Sequence, residues 1–128
     1  IQNPDLSHSK IAAFLMEKEL DIRDEDVLNA VKYHTTGRAN MSKLEKVIFL
    51  ADSIEPGRDY PGIEKIRELS NKDLDAACLS AIENTIEYLH RQDINIDPDT
   101  EKAREWLQKT ISKKGDLDEQ QKNSITCG

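Results

Sequence analysis

Little in this chain is aromatic, and no stretch of it is apolar for long. Only two cysteines, Cys78 and Cys127, occur among 128 residues, and they stand far apart. That leaves no disulfide framework and no Cys-x-x-Cys metal site, and it fits a reducing cytoplasm. No apolar run approaches the ~18 residues that a membrane span requires, and no secretory leader is legible. Positive charge is also scarce: 18 lysines and arginines stand against 25 aspartates and glutamates, for a net charge of -7. An anionic chain has no broad electrostatic footprint for nucleic acid. A polyphosphate ligand would have to be held by a few local cations or by a metal.

What remains is helical in pattern. Charged residues make up 34% of the chain and aromatics 5%. The length suits one domain, which buries roughly two-thirds of its unfolded surface. The opening Ile1-Gln2-Asn3-Pro4-Asp5 lacks an initiator Met and reads as the edge of a fragment of a longer protein.

Six helices are expected. The first covers about 9–20, with Ile11, Phe14 and Leu15 on its buried face. The second follows Asp24, and Val27, Val31 and His34 fall at i, i+4 and i+7, which sets His34 on the apolar face at the helix end. The third opens at Ser42, where Ser42-x-x-Glu45 matches a capping box. Its expected buried stripe is Leu44, Val47, Ile48, Ala51 and Ile54, with Asp52 bordering it, and Pro56-Gly57 stop it. A short fourth helix spans about 61–69. The fifth, about 72–91, buries Leu74, Cys78, Ala81, Ile82, Ile86 and Leu89. In the sixth, Asp97 caps and Pro98 sits in the first turn, with Ala103, Trp106, Leu107 and Ile111 facing the core. Residues 1–112 thus form an all-α bundle, and 113–128 are expected to be a polar, disordered tail.

Two side chains are costly where the pattern puts them. His34 on an apolar face is either a satisfied core residue or a functional one, and the loop that follows, Thr35-Thr36-Gly37-Arg38, offers hydroxyls, a permissive glycine and a cation suited to phosphate oxygens. Asp52, inside a helix beside an apolar stripe, needs a cation or hydrogen bonds to offset burial. Arg58, past the Pro-Gly stop, is close enough to serve, although a surface pair with Lys46 or Arg58 explains Asp52 as well. His90 fits the C-terminal dipole of the fifth helix. His8 precedes the first helix, and Asp97, Asp99 and Thr100 read first as capping residues.

The strings Tyr33-His34-Thr35-Thr36-Gly37-Arg38, Met41-Ser42-x-Leu44-Glu45-Lys46, Leu50-Ala51-Asp52-x-Ile54-Glu55-Pro56-x-Arg58 and Pro61-Gly62 resemble the YqeK-type proteins, which are HD-domain metal-dependent phosphohydrolases. The resemblance continues through Leu74-Asp75-x-Ala77, Asn84-Thr85-Ile86 and Pro98-Asp99-Thr100-x-x-x-Ala103-Arg104, and covers roughly residues 3 to 107. It implies an HD-domain-like helical bundle that hydrolyses symmetrical dinucleoside tetraphosphates, such as diadenosine tetraphosphate, to two nucleoside diphosphates. It implies a divalent transition metal, iron first, with manganese or cobalt also suited. Asp52 matches a metal ligand of the family. His8 and His34 match histidines that contact phosphate or serve a second metal. Arg58, with help from Arg38, would hold phosphate. Thr35 would sit beside the nucleotide, whose pocket Ile96, Asp97, Pro98, Asp99 and Thr100 would line.

The chain departs from that family in three places. The early His and the His-Asp dyad that complete the metal site are absent, so this chain alone is expected to be inactive and its bundle to be truncated at the N-terminus. Ser9 follows His8 where the family usually has Gly, and Asp97 stands where it often has His. A truncated bundle would uncover apolar surface, and homodimers or larger species are the expected consequence. A non-catalytic helical module that binds a nucleotide or a protein is the alternative reading.

Overall fold

A computed structural model describes the backbone over residues 4–126 and the side chains over 11–115. Among the described residues all regular structure is helical, in the order α1 (Pro4–Glu19), α2 (Glu25–Lys32), α3 (Lys43–Ser53), α4 (Ile63–Ser70), α5 (Leu74–Arg91) and α6 (Pro98–Thr126). The all-α expectation holds.

Local capping chemistry sets most of the starts. The Asp24 carboxylate accepts from the amides of Asp26 (2.9 Å) and Val27 (3.3 Å) to open α2. At α3 the box is complete: Ser42 Oγ accepts from the Glu45 amide at 3.2 Å, and Glu45 Oε2 accepts from the Ser42 amide at 2.6 Å. The same Ser42 hydroxyl donates to Asp26, tying α3 to the first turn of α2. Asp97 Oδ1 accepts from the Asp99 amide at 2.8 Å and opens α6. Gly62 precedes α4 with φ +93°, a left-handed conformation that only glycine adopts without strain.

The core forms where α5 packs against α3, α4 and α6. Phe49 and Leu50 of α3, Ile66 of α4, Ala77, Cys78, Ala81, Ile82 and Ile86 of α5, and Ala103 and Leu107 of α6 are buried together with Met41. Full burial of side chains such as Ile66, Ile82 and Leu107 stabilises by roughly 1.5–3 kcal/mol each. The chain's first two helices extend this body sequentially, α1 packing on α2 and α2 on α3.

Two expectations are corrected. First, α1 begins at Pro4, where proline fits the first helical turn. His8 is therefore inside the helix rather than before it, and α1 buries Ala13 while Ile11, Phe14 and Leu15 are exposed. Second, α3 is rotated relative to the expected stripe. Glu45, Phe49 and Leu50 face inward, and Leu44, Val47, Ile48 and Ala51 lie outward. This helix has apolar residues on both sides, and the side that meets α5 wins. Helical backbone is described from Lys113 to Thr126, within the stretch 113–128 expected to be a polar, disordered tail. Extending a helix that already exists avoids the nucleation cost.

Candidate active site at the exit of α3 and the loop after α2

The loop after α2 is held by its own backbone and by α6. The Gly37 amide donates to the Tyr33 carbonyl at 2.8 Å. Gly37 has φ +71°, and an added Cβ there would stand 3.3 Å from the Ala103 Cβ, so α6 packs directly on the loop. Thr36 is buried, with its hydroxyl on the Gly37 carbonyl at 2.9 Å, and the buried Thr100 hydroxyl donates to the Thr36 carbonyl at 2.9 Å. The fold therefore brings the Thr35-Thr36-Gly37 segment to the start of α6, two regions far apart in sequence. Thr35, Ile96, Asp97 and Asp99 are half-buried there, and Pro98 is exposed.

His34 lies just past the end of α2 and is half-buried. Its Nδ1 is 2.6 Å from the Val31 carbonyl oxygen. A carbonyl only accepts, so this contact requires the proton on Nδ1. In the neutral ring Nε2 is then the nitrogen with the lone pair, ready to accept a hydrogen bond or ligate.

Asp52 stands in the last turn of α3. It is not enclosed: its side chain is 36% exposed, and Arg58 Nη2 meets Oδ2 at 3.4 Å with the arginine 48% exposed. An ion pair this open contributes on the order of 0–1 kcal/mol. The helix end is also electrostatically wrong for a carboxylate, because the macrodipole is negative there. No basic residue of α3 itself occupies its last turn. Cations arrive instead from beyond the helix. Arg67 of α4 donates to the carbonyls of Ile54 (3.3 Å), Glu55 (3.0 Å) and Arg58 (3.0 Å), and the Tyr60 hydroxyl donates to the Ser53 carbonyl at 2.7 Å. Burial raises the Tyr60 pKa despite the nearby Arg58 and Arg67.

The loop after α2 meets the start of α6, and Asp52 meets Arg58, but among the described residues His34 and Asp52 share no hydrogen bond. No three of His, Cys, Asp and Glu come together there as a metal-holding group. The described side chains do not by themselves fit a metal. The His8 side chain lies outside the described residues. Arg38 has a different commitment from the one expected: its Nε and Nη2 meet Glu45 Oε1 at 2.9 and 2.8 Å, and its guanidinium lies over the Tyr33 ring. A buried carboxylate engages one edge of its guanidinium, while the side chain stays 33% exposed.

Three groups escaped the sequence reading. Glu45 is buried, which its capping box alone did not announce. Asp75, also buried, receives Lys46 at 2.7 Å from Oδ1 as an ion contact, too poorly aligned to be a good hydrogen bond, and Lys114 at Oδ2. Burial alone would raise its pKa, but the two lysines outweigh that and hold the carboxyl below the ordinary aspartate value. Beside it Cys78 is desolvated, with Asp75 adding to the effect, and its thiol is pushed up to about 12. A thiol of that pKa is inert at neutral pH. Arg67 was missed because three of its four partners are backbone carbonyls, which no side-chain pattern marks.

No family model matches the chain. Over 105 residues it is 43% identical to a Bacillus subtilis protein called symmetrical bis(5'-nucleosyl)-tetraphosphatase, covering 82% of this chain and 56% of the relative. Over 96 residues it is 50% identical to a protein of the same name from Halalkalibacterium halodurans, covering 75% of this chain and 51% of the relative. A crystal structure from Clostridium acetobutylicum, described as a predicted HD superfamily hydrolase involved in NAD metabolism, matches with a TM-score of 0.77 at 42% identity, over 80% of this chain and 55% of that one. The chain spans about half the length of the curated relatives it matches. Within that span it is a homologue of the proteins named symmetrical bis(5'-nucleosyl)-tetraphosphatase, built on the helical fold of an HD superfamily hydrolase.

Proposed function

We propose that the protein hydrolyses symmetrical dinucleoside tetraphosphates, releasing two ADP from diadenosine tetraphosphate. The observation that carries this reading is the 43–50% identity to relatives of that name across the residues that build the α3 exit and the loop after α2. The chemistry there suits it. In this reading a water molecule forms a bond to one of the two central phosphorus atoms, and the bridging oxygen leaves with the other half as the second diphosphate. Arg58 neutralises charge on the phosphoryl oxygens. That help matters in a chain of net charge -7, which otherwise repels a tetraphosphate. Asp52 orients the attacking water, and His34 presents Nε2 to a phosphoryl oxygen or a proton in transit. Thr35 and the segment from Ile96 to Thr100 flank the nucleotide. The metal of this reading is divalent, iron ahead of manganese or cobalt, and Asp52, His34 and His8 are its candidate ligands in this chain. Its coordination would need donors beyond the described side chains.

The test is product analysis. The full-length protein, supplied with diadenosine tetraphosphate and each of the three metals in turn, is expected to release ADP alone. Release of AMP with ATP would contradict the symmetrical cleavage. Binding without products would favour the non-catalytic module.

A further inference from the structure

The segment that returns Arg58 towards Asp52 runs from Ile54 to Arg58; its own restraints are Pro56, the Ile54 amide on the Leu50 carbonyl at 3.0 Å, the Ile54 side chain against the core, and one turn from the Arg58 amide to the Glu55 carbonyl at 2.9 Å. Arg67 supplies the rest. It projects from α4, which is anchored by the buried Ile63 and Ile66 and packs on α5. Three carbonyl oxygens drawn from five consecutive residues, those of Ile54, Glu55 and Arg58, converge on its Nε and Nη2. Its remaining contact, Nη1 to Glu64 at 3.1 Å, involves a carboxylate that is 86% exposed and adds little. A planar fork of donors can gather oxygens arranged this way, whereas a lysine ammonium is a single point. The charge is also well placed, because one of these oxygens belongs to Ile54, the C-cap residue at the negative end of α3.

We propose that Arg67 is a positioning residue for phosphate binding: by gathering the carbonyls of Ile54, Glu55 and Arg58 it fixes the Arg58 guanidinium beside Asp52. This rests on reading the α3 exit as the phosphate-binding part of the hydrolase. Arg67 acts through Arg58, since its Nε hydrogen, both Nη2 hydrogens and one Nη1 hydrogen are already engaged by the protein.

The experiment compares Arg67→Gln and Arg67→Lys, each with and without Arg58→Gln, in the full-length protein. Kinetics with diadenosine tetraphosphate, affinity for inorganic pyrophosphate, and amide hydrogen exchange across residues 54–58 are read on each. Arg67→Gln is expected to raise KM and weaken pyrophosphate binding by about tenfold, to change kcat far less, and to speed exchange of the Arg58 amide. Arg67→Lys should behave like Arg67→Gln because it keeps the charge and loses the fork. It also serves alone if Arg67→Gln does not fold. In the Arg58→Gln background neither change should cost anything further, since two residues that act as one unit do not add. Unchanged KM, or a loss that multiplies with that of Arg58→Gln, would overturn the proposal. If the unaltered protein releases no ADP, the hydrolase reading fails by itself, while pyrophosphate affinity and amide exchange still decide the role of Arg67.

Discussion

Helix α3 carries a carboxylate–arginine pair at each end, and the two are built in opposite ways. At the N-terminus the helix dipole favours Glu45, which is 1% exposed, takes two guanidinium nitrogens of Arg38 and closes the capping box. At the C-terminus the dipole opposes Asp52, which is 36% exposed and has one long contact with Arg58. Glu45 is satisfied by the fold and has nothing left to offer a ligand. Asp52 sits where the backbone disfavours it, beside a cation that keeps half its surface in solvent. A carboxylate held at such a place without a structural return is a candidate for chemistry, and the same contrast separates Arg58 from Arg38.

Substitutions can sharpen the contrast. The largest effect should follow Glu45→Ala, which strands Arg38 and opens the box; denaturant unfolding should show a loss of about 3 kcal/mol. At the other end, Arg58→Gln should leave the unfolding midpoint unchanged and lower kcat/KM for diadenosine tetraphosphate about tenfold in the full-length protein. A stability loss matching that of Glu45→Ala would make Arg58 structural. Asp75 extends the buried class. Its folded pKa lies below the unfolded value of 3.8, so its contribution is complete above that pH and is lost as pH falls through the lower folded value. Asp75→Asn should therefore flatten the acid limb of the stability profile below about pH 4. The smallest effect concerns the outward face of α3. The 128-residue chain is expected to self-associate through Leu44, Val47 and Ile48, which are 36–44% exposed. Val47→Asp should shift its sedimentation towards the monomer, and a monomeric parent would remove that expectation.

The sequence made legible what depends on near neighbours. Asp24, Ser42 with Glu45, and Asp97 announce their helices within three or four residues, and all three caps are present. The long α5 was legible because Cys78, Ala81, Ile82 and Ile86 leave only one apolar face. In α3 the reading failed: Leu44-Val47-Ile48 and Phe49-Leu50 are both apolar, and periodicity cannot say which face another helix covers. The interior charges were hidden for a related reason. Lys114 reaches Asp75 across 39 residues, and Arg67 reaches the Ile54 carbonyl across 13. No local pattern encodes either partner. For the site itself, Asp52 and Arg58 were legible as a pair, and the Thr35–Gly37 loop and the start of α6 each by sequence similarity. Their approach through Thr36 and Thr100 was not, because it depends on how α6 lies across the loop.

The central claim is that Asp52 serves chemistry while Glu45 serves the fold. It is tested most directly by measuring turnover per folded molecule and unfolding free energy together for Asp52→Ala and Glu45→Gln in the full-length protein. Asp52→Ala should lose at least about 10²-fold in turnover while its stability stays within about 0.5 kcal/mol of the parent, and Glu45→Gln should show the reverse pattern. An Asp52→Ala protein that unfolds easily, or that still turns over at the parental rate, would contradict the account.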